Sequence, residues 1–195
     1  MGRLGTISIS GRIIVWCWII FGAYWLVNAF GQKRTAERQS LATALAHRIP
    51  LLISYSLLAL PNWPWPAMNS FITPTEPWAR AVGALICVLG CLFTIWARRT
   101  LAGNWSSDVT FKQGHELIRR GPYRLVRHPI YTGLLIMCLG TAVEIARLRS
   151  WLAVPVMATA FWIKLKQEER LMLSHFGDEY RAYQKQVKAL VPFVV

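Results

Sequence analysis

The chain has 195 residues, 54% of them hydrophobic, and a positive mean hydropathy, which leaves room for one sizeable domain but is too apolar for an ordinary soluble one. Its formal charge of +13, from 22 Lys and Arg against 9 Asp and Glu, would ordinarily raise nucleic-acid binding. The basic blocks Lys33-Arg34, Arg98-Arg99 and Arg119-Arg120 instead flank long apolar runs, so membrane topology, and not a nucleic-acid partner, accounts for the charge.

The first apolar run, about Ile13 to Phe30, is longer than a signal-peptide core and has no small-x-small cleavage site, so it reads as a retained span. A second run, Ile49 to Leu60, is short. It reaches spanning length only if Pro61-Asn62-Trp63-Pro64-Trp65-Pro66 extends it into the interface. The third, Arg80 to Ala97, contains no proline, and its Gly83 and Gly90 offer close helix approach. After a polar stretch from Arg98 to Arg127 come a run from Ile130 to Ala146, a short Arg147–Ser150 connection, and a last run from Trp151 to Ile163.

The pattern predicts an all-α, polytopic integral membrane protein with about five transmembrane helices. It forms one membrane domain, 1–195, with N-terminal spans in 1–97 and a more polar half in 98–195. The last helix is expected to continue out of the hydrocarbon through Lys164-Leu165-Lys166-Gln167-Glu168-Glu169-Arg170-Leu171-Met172 and to stop at Gly177.

Trp63, Trp65 and Trp78 bracket the Pro-rich connection, and Trp96, Trp105 and Trp151 sit near run ends, as an interfacial belt requires. The four cysteines, Cys17, Cys87, Cys91 and Cys138, lie inside apolar runs without metal-ligand spacing and read as small helix residues. Counting Lys and Arg on alternate sides gives 17 on one side and five on the other. The positive-inside rule then puts the N-terminus outside and the C-terminus in the cytoplasm.

Within the polar half, unusual residues recur at short spacing: Gly114-His115-Glu116-Leu117-Ile118, Gly121-Pro122-Tyr123, and Arg127-His128-Pro129-Ile130-Tyr131-Thr132-Gly133. A Gly-Pro turn followed by Arg-His-Pro at the start of an apolar run places a histidine, an arginine and two tyrosines at the membrane surface. The acidic pair Glu168-Glu169 faces them from the cytosolic end of the last span, and the set can enclose a polar ligand. Taken singly, an Arg-His pair before a span is more often an interfacial anchor, and Glu168 and Glu169 can pair within their own helix, with Lys164 four residues and Lys166 three residues before them, and need no ligand.

The order Arg127-His128-Pro129-x-Tyr131-x-Gly133, then Glu168-Glu169, then Phe176-Gly177-x-x-Tyr180, resembles the isoprenylcysteine carboxyl methyltransferase family, whose wider superfamily includes phospholipid N-methyltransferases. The resemblance runs from about Gly103-Asn104-Trp105 to Pro192. It implies that 98–195 is a methyltransferase-like catalytic half that wraps S-adenosyl-L-methionine in a pocket at the cytosolic face, leaving a lipid-side opening for a lipophilic or lipid-modified substrate. By position it gives His115, Leu117 and Ile118 to the adenosine side and Tyr123 to packing on the cofactor. His128, Pro129 and Tyr131 fall to its methionine portion and ribose, and Glu168 to its amino group. Arg127 and Glu169 are the supporting members of the catalytic set, and no metal is implied. A sulfonium carrying an ammonium group favours carboxylates and aromatic faces, and its carboxylate favours Arg or His donors.

Two positions depart from the family. Lys164 stands where the family has a substrate-binding arginine, giving a point charge in place of a bidentate fork, and Asp108 stands where some members have a glutamine. The expected reaction is therefore methyl transfer to a lipophilic acceptor, foremost an isoprenylcysteine-like carboxylate, with Lys164 steering the anionic head group. A lipid amine acceptor is the alternative. A non-enzymatic scaffold that binds anionic lipid or a partner protein through the basic loop is the reading the charge pattern permits by itself. The C-terminal Val191-Pro192-Phe193-Val194-Val195 carries no lipidation signal, in keeping with a modifier of lipidated substrates.

Overall fold

The computed structural model describes residues 8–28, 35–38, 41–102, 110–112 and 117–192. Five helices run through them: α1 (Ile9–Val27), α2 (Leu41–Ala59), α3 (Pro77–Leu101), α4 (Pro129–Ile145) and α5 (Leu148–Gln186). The first three are each long and apolar enough to cross a membrane, and α4 is apolar but shorter. Ile, Leu, Val and Trp side chains stand exposed along α1, α2 and α3, the surface expected where the solvent is lipid. The chain is an integral membrane protein built of helices.

Helix α2 departs from the expected span. It gains its length at the N-terminal end, beginning at Leu41 and running through Pro50, whereas residues 61–65 lie outside it in an irregular segment ahead of a 3-10 turn at Pro66–Asn69. The alanines and leucines of 41–46 are good helix formers, and a proline within a packed membrane helix is tolerated where neighbours satisfy the freed backbone groups. A two-stranded antiparallel ribbon, β1 (Thr35–Arg38) with β2 (Thr110–Lys112), is a second departure. It ties the α1–α2 connection to the α3–α4 connection and holds both at one end of the bundle.

The most extensive helix contact is between α3 and α4, and glycines make it close. A Cβ on Gly83 would lie 2.7 Å from the Gly140 carbonyl oxygen, and one on Gly90 2.7 Å from the Met137 amide nitrogen. In lipid, where apolar burial gives no net drive between helices, such approach is what holds a pair together. Cys87 and Met137 are fully buried beside these glycines, and all four thiols are free and buried. Gly140→Leu is therefore expected to cost about 3 kcal/mol and to broaden or abolish the thermal unfolding transition in detergent. Gly22→Leu, at a position with open space around it, should leave the transition in place, and equal effects would refute the packing argument.

Two buried arginines close helix ends. Arg98 donates to the carbonyl of Ala102 at 2.6 Å and of Asn28 at 3.1 Å, the C-caps of α3 and α1. Arg149 donates to Leu57 and Leu58 at the last turn of α2. The final carbonyls of a helix have no partner within it and no water in hydrocarbon, so a guanidinium is well suited to them.

At the end opposite the ribbon, the α4–α5 connection pairs with the segment before α3, Ile72 N–H to the Ala146 carbonyl at 2.9 Å and Leu148 N–H to the Ser70 carbonyl at 3.0 Å. There too Glu144 accepts from Ser8 at 2.8 Å and lies 3.6 Å from Arg80. Helix α5 runs well past the expected span, as its sequence predicts. At Gly177, with φ 49°, it breaks, and helix resumes to Gln186, which folds the C-terminal turns back toward α4.

Candidate functional site

The segment from Gly121 to Arg124 is a 3-10 turn with Pro122 at its start, and its Gly121 sits at φ 59°, a conformation that carries no Cβ penalty for glycine. Leu125 closes that turn, and Pro129 opens α4 at the first helical position, where its missing N–H costs nothing. Val126 to Thr132 is then sewn to the C-terminal tail. Arg127 N–H donates to the Lys188 carbonyl at 2.8 Å, His128 N–H to Ala189 at 3.0 Å, and the Thr132 hydroxyl to Leu190 at 2.7 Å.

From this platform the side chains meet the paired glutamates of α5. The Arg127 guanidinium donates to Glu169 Oε1 from Nε at 2.8 Å and from Nη2 at 2.6 Å, and also reaches the Val187 carbonyl. Gln184 donates to Glu169 Oε2 at 3.2 Å, and His128 Nε2 lies 3.3 Å from Oε1. Glu169 is 5% exposed and wholly engaged, so Arg127 and Glu169 form a clamp that fixes the motif, α5 and the tail together. Glu168 is more open. Tyr131 Oη donates to its Oε1 at 2.5 Å, and His128 Nδ1 lies 3.5 Å from its Oε2.

Tyr131 stacks on His128 at 5.5 Å and on Phe161 at 4.7 Å between ring centres, with planes within 9°. Lys164 Nζ lies 5.6 Å from the centre of the Tyr131 ring. Phe161, Lys164 and Glu168 follow at i, i+3 and i+7 along α5, one face of the helix. That spacing is the signal from which Phe161 is recoverable in the sequence. Gln184 and the tail carbonyls carry no such signal, because their role depends on the reversal at Gly177.

Electrostatics follow the geometry. Burial works to raise the Glu169 carboxyl, but His128 and then Arg127 overcome it and hold it down to about 2. Burial likewise opposes ionisation of Glu168, and His128, Lys164 and Tyr131 together keep it below the ordinary carboxylate range. For His128, burial disfavours the charged ring, but hydrogen bonds to Glu168 and Glu169 and their charges raise it above its ordinary value. The Tyr123 phenol is pushed up by burial and by the Glu168 charge, and its carbonyl accepts from Tyr183 Oη at 2.6 Å.

The cluster thus brings together Arg127, His128, Tyr131, Lys164, Glu168 and Glu169, with Pro129 buried at the start of α4 and Tyr123 buried close by. Leu117 and Ile118 are half-buried in the extended segment leading into the Gly121–Arg124 turn. His115 and Asp108 lie outside the described residues.

The sequence model described as phospholipid methyltransferase matches residues 78–179. Curated relatives are protein-S-isoprenylcysteine O-methyltransferases. The one from Tribolium castaneum is 28% identical over 72% of this chain and 52% of its own length. The one from Homo sapiens is 27% identical over 87% of this chain and 60% of its own, and a probable one from Oryza sativa subsp. indica is 36% identical over 58% and 61%. This chain therefore spans about half to three fifths of the length of these relatives. Among solved structures, that of the eukaryotic intramembrane Ras methyltransferase, isoprenylcysteine carboxyl methyltransferase, superposes with a TM-score of 0.65 over 98% of this chain and 70% of that one, at 24% identity; it is a likeness of fold. Since the 78–179 match covers just over half the chain and takes in α3, the Arg-His-Pro motif and both glutamates of α5, this protein belongs to the phospholipid methyltransferase family, with the isoprenylcysteine O-methyltransferases among its recognisable relatives.

Proposed function

We propose that this protein is an enzyme that methylates the carboxylate of a lipophilic, isoprenylcysteine-like acceptor, using S-adenosyl-L-methionine, at the cytoplasmic face of its membrane. The observation that carries the reading is the face of α5 on which Lys164 and Glu168, a cation and an anion one turn apart, both turn to the Tyr131 ring. The donor set fits this cofactor. Glu168 suits its ammonium, the His128, Tyr131 and Phe161 rings suit a cationic sulfur, and His128 suits its carboxylate.

When bound, the cofactor supplies a methyl group on sulfonium, and a carboxylate acceptor arrives already deprotonated. The chain's part is then positioning and exclusion of water. Glu168, His128 and Tyr131 would hold the donor, with Tyr123, Pro129, Leu117 and Ile118 as its walls. Lys164 holds the acceptor's negative head group, and the Arg127–Glu169 clamp keeps the two sides of the site in register. The names of the relatives support the acceptor class.

The description of the matched family favours a second reading, methylation of a phospholipid amine. That acceptor must lose a proton, and Glu169 is the carboxylate nearest to hand besides Glu168. Its full engagement by Arg127, His128 and Gln184 argues against a free base there.

The test is label transfer from S-adenosyl-L-methionine, in nanodiscs, to an S-farnesylcysteine analogue with a free carboxylate, to its methyl ester, and to phosphatidylethanolamine. Base-labile label on the free acid alone is expected. Label on the phospholipid amine with none on the acid would transfer the conclusion to the second reading.

A further inference from the structure

The end of the bundle away from the paired glutamates holds a second polar cluster, about 20 Å along α4 from Tyr131. Glu144 is 8% exposed there and draws its partners from α1 and α3. Ser8 donates to its Oε1 at 2.8 Å and Ser10 at 3.5 Å, and Arg80 Nη1 lies 3.6 Å from the same oxygen. Arg80 Nε also donates to the Thr75 carbonyl at 2.9 Å, and the Arg80 side chain keeps 31% exposure. A guanidinium has five N–H donors, so several remain for a ligand.

Beside this cluster α1 and α3 part to leave a groove of about 720 Å³, within the roughly 300–1,000 Å³ of sites that hold small molecules. Ser8, Ser10, Thr75 and Arg80 line its mouth, and Ile13, Ala84, Leu85 and Val88 line its length. Ile13 and Leu85 are exposed, so the groove opens sideways to lipid. From Pro77 to Val88, α3 rises about 16 Å, half of a hydrocarbon core of roughly 30 Å. The groove is therefore polar at one end and apolar over the depth of one leaflet, which is the gradient of a phospholipid.

The charges select among phospholipids. Arg80 suits a phosphodiester. Ser8 and Ser10 line the groove and bond the Glu144 carboxylate behind them, so an ammonium is favoured beside the phosphate and a second anion is opposed.

We propose that this groove binds a phospholipid of the phosphatidylethanolamine type, with its phosphate on Arg80, its ammonium at Ser8 and Ser10 in the field of Glu144, and an acyl chain along Ile13, Leu85 and Val88. The lipid staples α1, whose buried residues are Gly11, Ile14 and Cys17, to α3. It serves stability, and it is separate from any lipid that the catalytic end holds.

The test is thermal unfolding of the full chain, delipidated in detergent and titrated with phosphatidylethanolamine, phosphatidylglycerol or diacylglycerol of the same chains. Native mass spectrometry counts the retained lipid. At about a hundredfold its Kd, phosphatidylethanolamine should raise the unfolding temperature by about 5–10 °C. Phosphatidylglycerol should give less than half of that shift and diacylglycerol none. Ala81 lines the groove and is exposed, so Ala81→Phe fills it without touching the ion pair. This variant should lose the shift and the retained lipid, with its lipid-free unfolding temperature within about 2 °C of wild type. Arg80→Gln should lose more than half of the shift. Glu168→Gln, at the other end of the bundle, should keep all of it, which separates this site from a methyl-acceptor site. A full shift in Ala81→Phe, an equal shift with diacylglycerol, or a shift lost in Glu168→Gln would overturn the proposal. Equal shifts with phosphatidylethanolamine and phosphatidylglycerol would overturn the placing of an ammonium at Ser8 and Ser10.

Discussion

Glu168→Gln should weaken binding of S-adenosylhomocysteine by about 30- to 100-fold, roughly 2–3 kcal/mol, the range of a hydrogen bond to a charged partner. The substitution keeps the shape of the side chain and leaves a carbonyl to accept from Tyr131 Oη, so the His128–Tyr131–Phe161 stack should survive. Only the negative charge is lost. Because His128, Lys164 and Tyr131 hold Glu168 ionised against its burial, the wild-type charge is present at neutral pH. Calorimetry on the two proteins, matched for thermal unfolding, measures the difference. Equal affinities would remove Glu168 from the cofactor site and with it the strongest residue assignment made for this protein.

The clamp predicts the largest stability effect. Arg127→Ala leaves the Glu169 carboxylate buried without its bidentate partner and should cost about 3–5 kcal/mol, visible as a large fall in the unfolding temperature in detergent. Arg127→Leu combined with Glu169→Leu should cost much less than the sum of the single changes, because no orphaned charge remains. A strictly additive pair would refute the clamp.

The pH dependence has a definite sign. Glu169 is held down to about 2, so its contribution is complete above the ordinary carboxylate range and is lost as pH falls toward 2. His128 is raised, so its contribution is complete below its ordinary value near 6.5 and is lost as pH rises through the raised one. Wild-type stability should therefore decline on both sides of a weakly acidic optimum, with the acid limb reduced in the double leucine variant to the part that Glu168 still contributes.

Much of this was legible in the chain itself. Runs of apolar residues bounded by basic blocks specify membrane helices, since length and hydropathy act locally. Gly83 and Gly90 announced a close helix approach because only absent side chains permit it. The paired glutamates and the Arg-His-Pro motif were visible as ionisable groups at the edge of hydrocarbon, where charge is expensive and calls for partners. By contrast, the apolar run Ile49–Leu60 falls short of α2: helix propensity in 41–48 extends the helix, and the proline at 50 does not stop it.

What the sequence determined by itself was the solvent of each segment, because burial in lipid is decided residue by residue along a helix. What only the tertiary structure decided was which glutamate does which work. Glu168 and Glu169 are neighbours of the same type, but 100° of helical rotation turns one to the Tyr131 ring and the other into the Arg127–Gln184 clamp. The groups that make the difference arrive from residues distant in the chain, folded back at Gly177 or presented at the start of α4. Such long-range pairing leaves no local pattern to read.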